Sequence, residues 1–133
     1  MRRLTVTTTR PREVLDLTDR VNALVGEAGI RAGLCHLLLL HTTAALTLAD
    51  LDPGTDLDIL DALTEMVPRL RYRHPHNPAH VPNHILSALV GTSLTLPVAD
   101  GRLVLGTWQR VVLIEFEGPR RREVAVTLVP SEL

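Results

Sequence analysis

Six histidines occur in this chain of 133 residues, and four of them, His74, His76, His80 and His84, fall within one eleven-residue stretch. Neutral imidazole is a common ligand for zinc and similar ions, and three protein ligands with an open fourth position define a catalytic metal site. A fifth histidine, His41, ends an apolar run and is followed by Thr42 and Thr43, where a turn could aim it into a pocket. Solvated loop histidines are the competing reading, because no H-E-x-x-H or C-x-x-C spacing accompanies the cluster. Pro82 stands between His80 and His84, so a helix starts only there and His84 is the better ligand of the two. His36 sits inside an apolar run and reads as a core or interface histidine.

Three further groups could carry chemistry. Asp50, Asp52 and Asp58 lie near His41 in sequence and could hold Mg²⁺, although Asp52 before Pro53 is equally a helix cap. Gly106-Thr107-Trp108-Gln109 joins the only tryptophan to an amide in a turn, which suits either a ligand wall or a subunit contact. Arg120-Arg121-Arg122 follows Gly118-Pro119, and alternation sends Arg120 and Arg122 the same way. Their guanidinium forks match phosphate, or else they pair with Glu115, Glu117 and Glu123 on a wet sheet face.

The elements that must position these residues follow from periodicity. Strands are expected at Leu4–Thr9 and Glu13–Leu17. Thr18 is placed to cap a helix carrying Val21, Leu24, Val25 and Ala28, which Gly29 or Gly33 ends. The run Leu34–Leu40 reads as a strand buried on both faces, with Ala44–Ala49 as its neighbour. Asp52-Pro53 opens a helix that repeats Leu57, Leu60, Leu63 and Val67 and stops at Pro68. Residues 69–82 read as an ordered loop, and Pro82 starts a short helix closed by Gly91. Strands follow at Ser93–Val98, Arg102–Leu105, Arg110–Phe116 and Glu123–Val129, with Ala99-Asp100-Gly101 as a hairpin turn.

Composition removes several classes of function. All 14 basic residues are arginine, so a lysine Schiff base and a P-loop lysine are both excluded. A net charge of -1 draws the chain neither to nucleic acid nor to an anionic membrane. The single cysteine, Cys35, forms no internal disulfide, and neither an apolar leader nor a run approaching about 20 apolar residues is present, so a cytoplasmic protein is expected. The length fits one domain, 1–133, with an aliphatic core, since Tyr72, Trp108 and Phe116 are the only aromatics.

Taken in order, these motifs resemble the YjbQ-like family, also called the secondary thiamine-phosphate synthase family. The resemblance rests on His41-Thr42-Thr43-Ala44-Ala45, Asp52-Pro53, Asp58, Tyr72, His74, His84, Gly91 and Ser93. It continues through Leu96-Pro97-Val98, Gly101, Gly106-Thr107-Trp108-Gln109, Glu115 and Gly118-Pro119-Arg120-x-Arg122. It implies a compact α+β fold with mixed or antiparallel sheets and about three helices. It also implies a homotrimer and a pocket near the subunit boundary where His41, His74 and His84 meet a divalent metal, zinc in first place and Mg²⁺ as the alternative. The implied activity joins a pyrimidine diphosphate to a thiazole phosphate with release of pyrophosphate. On that reading Asp50, His80 and Gln109 serve catalysis, while Thr42, Thr43, Trp108, Arg120 and Arg122 hold a small phosphorylated substrate. A non-catalytic trimeric metal- or metabolite-binding protein is the alternative. The chain departs from the family in carrying Asp50 where relatives usually have glutamate and His80 where many have aspartate. Its loop from His74 to Pro82 is also shorter than in many relatives.

Overall fold

The structure is a computed structural model that describes residues 1–131. In chain order its elements are β1 (Arg2–Thr7), β2 (Glu13–Asp16), α1 (Thr18–Ala28), β3 (Gly33–Leu39), β4 (Ala44–Ala49) and α2 (Thr55–Met66). A 3-10 turn (Pro78–His80), α3 (Val81–Val90), β5 (Ser93–Ala99), β6 (Arg102–Leu103), β7 (Arg110–Glu115) and β8 (Arg121–Pro130) follow. This is the expected α+β class, with all strand pairings antiparallel.

Two sheets share the core. One has five strands in the order β1-β8-β3-β5-β6, and the other has three in the order β2-β7-β4. β4 therefore does not lie beside β3 as expected; it crosses to the second sheet and pairs with β7, Ala44 opposite Glu115 and Ala49 opposite Arg110. β7 is the strand buried on both faces. Its Val111 and Leu113 pack towards the five-stranded sheet and α1, whereas Val112 and Ile114, with Phe116 just beyond, pack against Leu60 of α2 and Leu86 of α3. Each such aliphatic side chain taken from water stabilises the fold by about 1.5–3 kcal/mol.

The expectation that β3 is buried on both faces is corrected. Cys35, Leu37 and Leu39 face the core, but Leu34 and Leu38 are 45% and 37% exposed on the outer face. An unbroken apolar run marks two buried faces only when something covers the second one. Burial lifts the Cys35 thiol to about 11, so it is an inert core residue.

Local signals account for most element ends. Gly29 closes α1 in the left-handed region at φ 72°, and Asp100 (φ 53°) with Gly101 (φ 76°) makes the β5–β6 hairpin turn. Two expected caps are not used. The Thr18 hydroxyl instead accepts the Val111 N–H at 2.8 Å, stitching α1 to β7. Asp52 contributes only its carbonyl, to the Thr55 N–H at 2.9 Å, so α2 begins two residues later than its motif suggests. Among the described residues no helix is long and apolar enough to cross a membrane.

Candidate functional site

β3 gives way to a corner made by Leu40 to Thr43 before β4 begins. β8 holds that corner twice: the Leu40 N–H donates to the Glu123 carbonyl (3.0 Å), and the Glu123 N–H donates to Nε2 of His41 (2.8 Å). A ring nitrogen that accepts carries no proton, so neutral His41 is protonated on Nδ1. Burial lowers the His41 pKa below the ordinary histidine value, and Arg122 and Arg120 add to the effect against Glu115 and Glu123. His41 is therefore a neutral imidazole at neutral pH.

His84 reaches the same corner from α3. The Ser87 hydroxyl donates to the Ala44 carbonyl at 2.7 Å, and the Leu46 N–H donates to the Gly91 carbonyl at 3.0 Å, so both ends of this helix segment are fixed on β4. His41 and His84 consequently line one hollow of about 340 Å³ with Thr42, Ser87 and Thr92. His74 comes from the preceding loop and stacks on His84, ring centroids 5.1 Å apart and planes 20° from parallel. Its Nδ1 accepts the N–H groups of His76 (3.3 Å) and Asn77 (3.1 Å), and the Asn77 side chain caps the 3-10 turn by accepting from Ala79.

The three histidines expected to meet are thus neighbours through His84. By donor chemistry the set suits zinc. By ring orientation it does not yet form a centre: backbone N–H groups occupy the acceptor nitrogens of His41 and His74, and a neutral imidazole has only one lone pair to give. His84 makes no hydrogen bond among the described residues. Accordingly, no three His, Cys, Asp or Glu side chains among the described residues stand ready to hold an ion.

Beneath the corner lies a buried ion pair. Arg122, 2% exposed, donates from Nε to Glu115 Oε1 (2.9 Å) and from Nη2 to Glu115 Oε2, and Nη2 also donates to the hydroxyl (2.9 Å) and carbonyl (3.1 Å) of Thr43. Glu115, fully buried, accepts in addition from the Thr8 hydroxyl (2.7 Å) and the Glu117 N–H (3.1 Å). Burial pushes the Glu115 carboxyl up, but Arg122, Thr8 and Glu117 outweigh it and hold it below the ordinary value. Arg122 and Thr43 are therefore framework beneath His41 rather than an open phosphate grip, which corrects the expectation for both.

The arginine run separates because β8 begins only at Arg121, so alternation does not extend to Arg120. Arg120 is exposed and meets the carbonyl (3.0 Å) and carboxylate (3.4 Å) of Glu117, and Arg121 pairs with Glu123 at 3.2 Å. His80 is held at both nitrogens, by Glu117 at 2.9 Å and by the Asn77 amide at 3.0 Å. Glu115 and Glu117 are the residues that sequence reasoning missed as site members. A lone acid closing the run from Val111 to Phe116 was the available signal, since a buried charge requires a partner.

Asp50, Trp108 and Gln109 lie elsewhere in the single chain. The corner of His41 adjoins the end of β4 and β7 where Ala44 faces Glu115, and Asp50 follows the other end, where Ala49 faces Arg110, about 17 Å away along five strand steps. There Asp16, Asp50, Asp52, Trp108 and Arg110 line a hollow of about 220 Å³. Trp108 is 69% exposed. Gln109 folds its Oε1 back to accept the Gly106 N–H at 2.8 Å, and Asp50 accepts the Asp52 N–H at 3.1 Å. Arg110 is tied to Asp16 at 2.7 Å.

The sequence and the fold have relatives among known proteins. The family described as "UPF0047 protein YjbQ-like" matches residues 2–131. A UPF0047 protein of Archaeoglobus fulgidus is 38% identical over 124 residues, 92% of this chain and 96% of the relative. The YjbQ protein of Salmonella typhimurium is 42% identical over 119 residues, 84% and 86% of the two chains. The crystal structure of a protein of unknown function from Sulfolobus solfataricus superposes with a TM-score of 0.90 at 32% identity, covering 98% of this chain and 96% of that one. With that coverage and identity, the chain belongs to the UPF0047 YjbQ-like protein family.

Proposed function

We propose that this chain is a metal-dependent enzyme acting on a small phosphorylated metabolite, with secondary thiamine-phosphate synthase chemistry as its first candidate reaction. The observation that carries the reading is His84, whose ring stacks on His74 and shares a hollow with His41. His41 and His74 would join it as ligands by turning off the backbone amides that hold them. Zinc is the preferred ion for three imidazoles, with Mg²⁺ as the alternative. Bound there, the ion would stabilise negative charge developing on a phosphate or activate a water.

The chain's own residues have separate tasks. The Arg122–Glu115 pair fixes Thr43 and with it the corner that carries His41. Thr42 lines the hollow, and Arg120 lies near enough to His41 to lower its pKa, so these two would meet a phosphate bound there. Glu117 orients His80 for proton transfer.

The working form is a homotrimer of the cytoplasm that needs neither nucleic acid nor membrane. Its support is the uncovered outer face of the larger sheet. There Leu34 stands opposite Pro97 and Val129, and Leu38 opposite Ala125, in the middle of the sheet rather than at an edge.

The test is turnover of the two thiamine precursors and a panel of phosphate esters, before and after chelation and on return of zinc or magnesium. Metal-restored turnover supports the reading. Ligand binding without turnover under every metal favours the non-catalytic trimer, which already has one observation on its side in the backbone amides that hold two of the three rings.

A further inference from the structure

Two adjoining hollows lie on the flank of α3 turned away from His84. One, of about 420 Å³, is bounded by Arg12, Thr64, Glu65, Arg69 and Pro82, with Leu86 as its floor. The other, of about 410 Å³, continues past Arg69 and Pro82 to Arg71, Tyr72 and Pro78. At 3.6 residues per turn, Pro82 and Leu86 share one stripe of α3, while His84, Ser87 and Ala88 lie on the opposite side, about 10 Å away across the helix. The hollows are therefore separate from the pocket already described.

Their charge has no internal answer. Arg2, Arg110, Arg120, Arg121 and Arg122 each meet a carboxylate. Arg12 is one of the nine arginines among the described residues that do not, and it is held instead by uncharged groups: it donates to the Thr64 hydroxyl and to the Asn83 amide oxygen (3.2 Å). Arg69 and Arg71 form neither an ion pair nor a hydrogen bond among the described residues. Glu65 is the one acid in either lining, against three guanidinium groups. Anchored at two nitrogens and free of an anion, Arg12 is oriented in advance, and a planar fork of donors suits the oxygens of a phosphate. Tyr72, its hydroxyl bonded to the Pro68 carbonyl, makes with Pro78 and Pro82 a flat apolar wall beside that charge.

We infer that the joined hollows are a second binding site, for the phosphate or diphosphate group of a small molecule, with Arg12 as the fixed fork and Arg69 and Arg71 closing over it. This inference stands independently of the metal reading. It has a consequence for the histidines: Arg71 and His74 are three residues apart, at most about 11 Å of chain, so an anion on Arg71 restrains the segment that stacks His74 on His84.

Calorimetric titration of inorganic pyrophosphate into metal-free protein tests the site. Binding is expected in the wild type and in His84→Ala, and an affinity about ten-fold weaker or worse in Arg12→Gln and in the double variant Arg69→Gln/Arg71→Gln, where two charge-assisted contacts are lost. The double variant alters only exposed side chains and keeps the fold, so the result does not hinge on Arg12. Three outcomes would overturn the inference: no binding of millimolar pyrophosphate to the wild type, equal affinity in all variants, or loss in His84→Ala alone. The last would place the anion in the histidine pocket, and metal content measured in parallel reports on that pocket separately.

Discussion

Replacing Arg122 with methionine separates a framework role from a ligand-binding one. The substitution keeps most of the buried side-chain volume but strips Glu115 of its counter-charge and of two hydrogen bonds, leaving only the Thr8 hydroxyl and the Glu117 N–H. Breaking a buried pair from one side costs about 3–5 kcal/mol, a large part of the roughly 5–15 kcal/mol that holds such a domain folded. At roughly 3–4 °C per kcal/mol for a chain of this length, the melting temperature should fall by roughly 10–20 °C. The pH dependence adds a signature. In the wild type the Glu115 pKa lies below its unfolded value, so its stabilisation is complete above the unfolded pKa and fades as pH falls through the folded one. In the variant, burial dominates and raises the pKa, so stability is lost as pH rises. The gap between the two proteins should therefore be small near pH 4 and widest near pH 7 in urea unfolding. A gap below about 1 kcal/mol at neutral pH, or one that does not change with pH, would refute the framework role.

Three other outcomes follow from the same geometry. His41, depressed by burial and Arg122, should titrate below the ordinary histidine value in nitrogen-detected NMR; since its folded pKa is the lower one, its contribution to stability is present above the unfolded histidine pKa and lost as pH falls. Gly118→Ala would place a Cβ 2.1 Å from the Arg10 carbonyl and 2.9 Å from Glu115, so thermal unfolding should show a loss of about 1–3 kcal/mol through a shifted Thr8–Glu115 contact. Leu34→Asp together with Leu38→Asp, on the exposed face of β3, should turn the proposed trimer into monomers in light scattering while leaving the far-UV spectrum intact; an unchanged mass would remove that face from the proposed assembly.

The element ends were readable because they depend on local chemistry. Gly29 after α1, Pro82 in the first turn of α3, Gly91 after it and Asp100-Gly101 in a hairpin each stand where the backbone requires them. The pairing of β4 was not readable, since Ala44–Ala49 meets a strand more than sixty residues away and periodicity carries no register. Nor was the division among the three consecutive arginines, which depends on where β8 begins and on the Glu115 carboxylate beneath it. The histidine neighbourhood was partly legible: residue type and clustering together with the family resemblance pointed to His41, His74 and His84, and the structure stacks His74 on His84 and sets His84 in one hollow with His41. What sequence could not convey is that backbone amides claim a nitrogen on two of the three rings.

The most direct measurement is anomalous diffraction at the zinc absorption edge from crystals of zinc-loaded protein. One peak per chain should lie about 2.0–2.1 Å from a ring nitrogen of each of His41, His74 and His84, with the Glu123, His76 and Asn77 amides released. Rings still bonded to those amides, with no peak in the hollow under saturating zinc, would contradict it.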